Sequence, residues 1–132
     1  MKGHAAWGIL AGLLIGAAAV ASAPTLASAD DASCGSKENP CPLQKWMRQN
    51  MAPAMSSGDM AALATAFEKA GKLAPDPKWN GSDPKQHWDA MSRVGIAAAK
   101  ANDAAAVKAA CKSCHEVYKD KYKQQFRTKP VP

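Results

Sequence analysis

From residue 43 onward the chain never alternates apolar and polar residues over a useful length; apolar residues return every three or four positions instead. That is the spacing of amphipathic helices, and β-branched residues, which favour strands, are scarce. "LQKWMRQNMAPAM" places Leu43, Met47, Met51 and Met55 on one face, and Pro53 should bend this run or shorten its regular part. "SSGD" breaks it and sets Asp59 to cap "MAALATAFEKAGKLA", whose stripe is Leu63, Ala66, Phe67 and Ala70. After the linker "PDPKWNGSDP", Asp83 followed by Pro84 reads as the start of a third helix, with Trp88, Met91, Gly95 and Ala99 on one side. "AND" precedes the last segment, "AAAVKAACKSCHEVYKDKYKQQF", capped by Asn102 or Asp103 and ending near Phe126. Four such segments with short breaks predict an all-α chain folded as an antiparallel four-helix bundle. Helices of about 15 residues would be only about 22 Å long, so a large apolar object at the centre would help this bundle.

The first 29 residues read as a secretory signal peptide rather than as part of the fold. Lys2 opens them, an apolar stretch runs from Trp7 to Val20, and Ala27-Ser28-Ala29 supplies a small-residue exit. Alanine and glycine dominate the stretch, which favours removal over retention as a membrane anchor. The rest of the chain divides into a loop over 30–42, a helical domain over 43–127 and a tail over 128–132. The leader carries one lysine and no acid, so the exported part keeps 16 basic residues against 11 acidic, a net +5. Nucleic acid is a poor partner for such a product: the compartment is wrong and no basic-aromatic array is present. No stable membrane insertion is expected once the leader is gone.

All four cysteines fall in the exported part, as two couples. Cys34 and Cys41 stand just ahead of the first helix in an oxidising compartment, and are expected to form a disulfide that pins the loop. Their spacing and the lack of a following histidine rule out a haem site there. Cys111 and Cys114, with His115 directly after, need another explanation. On a helix each residue advances about 100°, so the three side chains leave within an arc of about 100°. Two thiols can then add across the two vinyl groups of a haem while the adjacent imidazole reaches its iron. C-x-x-C-H is the signature of covalent haem c attachment. A thioredoxin-like dithiol would need a preceding strand, and a zinc site about four ligands, where His87 is the only other exported histidine.

With "CKSCHEVYK" on the fourth helix of a short exported all-α chain, the sequence resembles the class II c-type cytochromes, the cytochrome c-prime group and its low-spin relatives. The resemblance spans about 43–126, and its specific part is Cys111, Cys114 and His115, followed by Tyr118 and Lys119. It implies a bundle enclosing one covalently attached haem c presented by the last helix. The short first helix and the Cys34/Cys41 pair depart from the family's pattern.

The resemblance also sets the question of the ligand opposite His115. In the low-spin branch a methionine of the first helix takes that position; in the high-spin branch it is open and binds small gases. Met47 lies where the low-spin relatives place their ligand, and Met51 one turn on is the alternative. An empty position and His87 stay open as further readings, and ordinary core packing accounts for the remaining methionines. A His/Met pair raises the reduction potential and suits electron transfer. The expectation is a periplasmic monohaem cytochrome carrying single electrons between redox partner proteins, not an enzyme. The alternative is a five-coordinate haem protein binding NO or CO. A peroxidase has little support, because no distal acid–base residue is visible. Lys112, Lys119, Lys121 and Lys123 could steer an acidic partner or simply form a solvated helix face. Homodimerisation is left open, with Met60 and Phe67 assignable to an interface or to the core.

Overall fold

A computed structural model of the chain describes residues 34–131; the expected signal peptide lies outside them. Among the described residues the fold is all-helical, with α1 over Pro42–Ser57, α2 over Met60–Ala70, α3 over Trp88–Lys100 and α4 over Ala104–Gln125. A single 3₁₀ turn, Pro77–Trp79, interrupts the linker between α2 and α3. Four helices and no strand are consistent with a helical bundle. None of these helices is long and apolar enough to cross a membrane.

The helix ends are set by their local chemistry. Pro42 occupies the first turn of α1, where its missing N–H costs nothing. Cys41 donates its backbone N–H to Gln44 Oε1 at 3.3 Å, which satisfies a group just outside the helix. Gly58 closes α1 with φ +70°, a left-handed conformation that glycine adopts without strain. The next two helix starts are alike: Asp59 accepts from Ala62 N–H and Asp103 from Ala106 N–H, both at 2.9 Å. Pro53 does not shorten α1, which runs on to Ser57; the proline is exposed, so water can serve the Gln49 carbonyl it leaves without a donor. One expectation fails. The third helix starts at Trp88, not at Pro84. The Asp83 carboxylate closes a turn instead, accepting from Lys85 N–H at 2.8 Å and from Gln86 Nε2 at 2.9 Å. Asp89 reaches back to Gly81 N–H at 2.8 Å and fixes the segment ahead of the helix.

The expected apolar stripes of α2 and α3 become the core, while on α1 only Leu43 of the stripe is buried and Met47, Met51 and Met55 are half-buried. Leu63, Ala66, Phe67 and Ala70 of α2 are buried, as are Trp88, Met91, Gly95 and Ala99 of α3. These two helices run antiparallel and lie close together. Trp88 Nε1 donates to Ala70 O at 2.7 Å at one end, and Gly95 sits where a Cβ would collide with the Phe67 ring. Phe67 is therefore a core residue, 6% exposed, while Met60 is half-buried. Packing runs from α1 to α2, α2 to α3 and α3 to α4, and is loosest where the backbones of α1 and α4 would close the bundle.

Two apolar clusters fill the interior. One gathers Leu63, Phe67, Ala98 and Val107, with Met51, Met55 and Cys111 against it; the other gathers Leu43, Trp88, Met91 and Tyr118, with Met47 and Cys114 against it. The loop and tail fold over the second cluster. Cys34 and Cys41 are joined by a disulfide, with sulfurs 2.16 Å apart. Arg127 donates from Nη2 to the Cys34 carbonyl, and Tyr122 donates its hydroxyl to Arg127 O at 2.9 Å. Lys129 reaches the Pro75 carbonyl, and Val131 packs against the cluster.

Candidate functional site

Cys111, Cys114 and His115 lie in the middle of α4, a helix that Asp103 starts cleanly and no glycine or proline interrupts. Its buried line runs through Val107, Ala110 and Tyr118. Cys111 and Cys114 border that line and are half-buried; His115, about 100° on from Cys114, is exposed. The two thiols face different company. Cys111 packs against the cluster that includes Met51 and Met55, and Cys114 against the one that includes Met47. The methionine stripe of α1 thus shares apolar clusters with the two cysteines of the motif.

Both cysteines are unpaired. Burial pushes the Cys111 thiol up, and burial with Cys111 nearby pushes Cys114 up to about 11. Burial disfavours the thiolate form, whereas the attacking sulfur of a redox-active C-x-x-C pair has a lowered pKa. Among the described residues no group of three or more His, Cys, Asp and Glu side chains converges to hold a bare metal ion.

Next to Cys114 stands an aromatic wall. Tyr118, one turn further along α4, has its ring centroid 4.6 Å from that of Trp79 and 5.3 Å from that of Trp88. Its hydroxyl donates to the carbonyls of Gln86 and, at 3.3 Å, of Trp79. Burial is the main cause that raises the Tyr118 hydroxyl, with Cys114 adding to it. Phe126 closes the wall edge-on against Trp79 at 5.0 Å. Trp79 was not singled out by sequence reasoning, because a tryptophan in an aperiodic linker gives no sign of what it will pack against. Tyr118 had been singled out only as the aromatic residue that follows the motif.

His87 has a local role. Its Nδ1 accepts from Asp83 N–H at 3.1 Å and its ring lies against Gly81, so it anchors the turn ahead of α3. A shallow cleft of about 480 Å³ between α2 and α3, lined by Ala64, Glu68, Ala99 and Lys100 among others, contains no residue of the motif.

The donor set fits a covalent haem c: two unpaired, half-buried thiols one turn apart, an exposed imidazole beside them, and thioether sulfurs of α1 in the clusters that the thiols border. Met47 is the methionine that shares a cluster with the motif's second cysteine, and Met51 shares one with its first. His115 makes no hydrogen bond or ion pair in the structure, which leaves both ring nitrogens uncommitted. Compared with known protein families, with characterised proteins and with solved structures, the chain shows no match.

Proposed function

We propose that the chain is an exported monohaem c-type cytochrome that carries single electrons between protein partners. The observation that carries this reading is the placement of Cys111 and Cys114 at the two core clusters that receive the α1 methionines, with His115 beside them on the exposed side. A haem held there would supply an Fe(III)/Fe(II) couple.

The chain's own residues divide the work. Cys111 and Cys114 would hold the group through two thioether bonds, which would keep it from being lost in a compartment where it is not recovered. His115 would hold the iron through its imidazole. Met47 of α1 would be the second ligand, with Met51 as the alternative. Leu43, Trp88 and Tyr118 exclude water around the Cys114 side, which favours the less charged ferrous state and supports a high potential. Tyr118 is itself tied to the linker carbonyls, and this fixes α4 relative to α3. The Cys34–Cys41 disulfide is in keeping with export to the periplasm, where such bonds persist.

The test is an optical spectrum of the exported protein made with a working haem-ligation system. A low-spin ferrous form indifferent to carbon monoxide supports the electron carrier. A high-spin ferric form with rapid CO binding would instead make it a gas-binding protein.

A further inference from the structure

The two ends of the described chain meet over the Cys114 side of the core. Arg127 donates from Nη2 to the Cys34 carbonyl. Its own carbonyl lies 3.6 Å from Cys34 Sγ and accepts the Tyr122 hydroxyl at 2.9 Å. Gly35, at φ +124°, leaves the room that the guanidinium needs, because a Cβ there would collide with Nη2. Beyond Arg127, Lys129 reaches the Pro75 carbonyl, and Val131 packs on the cluster of Leu43, Trp88, Met91 and Tyr118.

The loop that receives Arg127 is fixed by a covalent bond. Residues 35–39 are exposed and form neither helix nor strand. Gly35 N–H donates to Asn39 O at 2.7 Å, and Arg48 Nη1 reaches the Lys37 carbonyl at 2.8 Å, both open to solvent that competes for the same groups. The disulfide ties Cys34, and with it the acceptor of Arg127, to Cys41 at the start of α1. α1 does not need that bond for its own start: Cys41 N–H donates to Gln44 Oε1, and Cys41 O accepts from Lys45 N–H at 2.8 Å. The two sulfurs also differ in access, since Cys41 is 3% exposed and Cys34 is half-buried.

We infer that loop and tail form a strap over the Cys114 side of the core, locked by the Cys34–Cys41 disulfide, and that a dithiol reductant opens it while the helices stay folded. A thiolate of the reductant attacks the more accessible Cys34 sulfur, the S–S bond breaks, and Cys41 leaves as a thiolate that takes a proton. The second thiol of the reductant then displaces Cys34, so two electrons and two protons pass to the pair and the reductant becomes a disulfide. Residues 34–40 lose their covalent anchor, Arg127 loses a fixed acceptor, and the tail over 126–131 lifts from Trp79 and from the cluster beneath Val131. The opening needs no cofactor. Its bearing on the motif rests on the electron-carrier reading, because the strap covers the cluster that Cys114 and Met47 border.

The test follows hydrogen exchange of the exported protein before and after dithiothreitol, with intact mass confirming the reduction. The reporters are the amides of Phe126 and Lys129, which donate to Tyr122 O and Phe126 O at 2.9 Å. Both should exchange roughly fivefold faster or more once the bond is reduced, with the helical circular dichroism retained. C34S/C41S should exchange fast with or without dithiothreitol, and R127A should do so with the disulfide intact. Ascorbate, which reduces a haem iron but not a disulfide, should leave the tail as it was. Reduction without faster exchange overturns the proposal, and so does a disulfide that dithiothreitol leaves intact in the folded protein. Loss of the helical signal on reduction also overturns it, since the bond would then be a staple of the whole fold. A chain whose strap opens yet carries no haem defeats the electron-carrier reading and leaves the strap standing.

Discussion

Met47 of α1 and Cys114 of α4 pack into the same apolar cluster, although the backbones of their helices make the loosest contact among neighbouring elements. This relationship separates two methionines that sit on one stripe of α1.

Met47→Ala should convert the haem-loaded protein from low spin to high spin and open it to carbon monoxide, because an axial sulfur is lost. Met51→Ala should leave the spectrum unchanged and cost about 1–2 kcal/mol in stability, less than a fully buried methionine would. The ferrous spectrum under CO, with a urea titration beside it, checks both. If Met51→Ala changes the spectrum and Met47→Ala does not, the two roles are exchanged.

Gly95→Ala should destabilise the fold by about 1–3 kcal/mol, since its new methyl group meets the Phe67 ring and α2 and α3 cannot approach as they do. Adding Phe67→Leu should recover part of the loss. A double-mutant cycle by chemical denaturation measures the coupling; strictly additive costs would contradict the contact.

Replacing Cys34 and Cys41 by serine should lower stability by about 2–3 kcal/mol, the loop-entropy value for a short closed loop. The same change should loosen the tail, because Arg127 holds the Cys34 carbonyl and Tyr122 holds Arg127. Faster hydrogen exchange over 126–131 is the expected sign. Unchanged exchange there would show that the tail is held by Lys129 and Val131 without the loop.

Acid should weaken the turn ahead of α3. The Gly81 N–H and then Arg93 hold the Asp89 carboxyl below its ordinary value of 3.8. A group depressed on folding adds stability that is fully present above its unfolded pKa and fades as pH falls through the folded one. Thermal unfolding of the wild type between pH 5 and pH 2 should therefore lose more than that of Asp89→Asn. Parallel acid limbs for the two proteins would show that Asp89 contributes nothing to the pH dependence.

The helix count and the buried stripes were legible in the sequence because burial on a helix imposes a period that no linker shares. Asp59 and the break at "SSGD" were legible for the same local reason, and the start of the last helix was legible to within Asn102 or Asp103: such residues satisfy or release backbone groups within four residues of themselves. Asp83 misled because its carboxylate has two uses, and here a tight turn with Lys85 and Gln86 wins over a helix start. The thiols of Cys111 and Cys114 are legible through spacing alone. Trp79 against Tyr118 and Arg127 against Cys34 are not, because each depends on how distant segments meet.

The most direct test is the intact mass of the exported protein, made by cells with an active haem-ligation system and measured after denaturation, beside a Cys111→Ala/Cys114→Ala variant. The account predicts one haem mass above the polypeptide, retained through denaturation and absent from the variant. A wild-type mass equal to the bare polypeptide would contradict it.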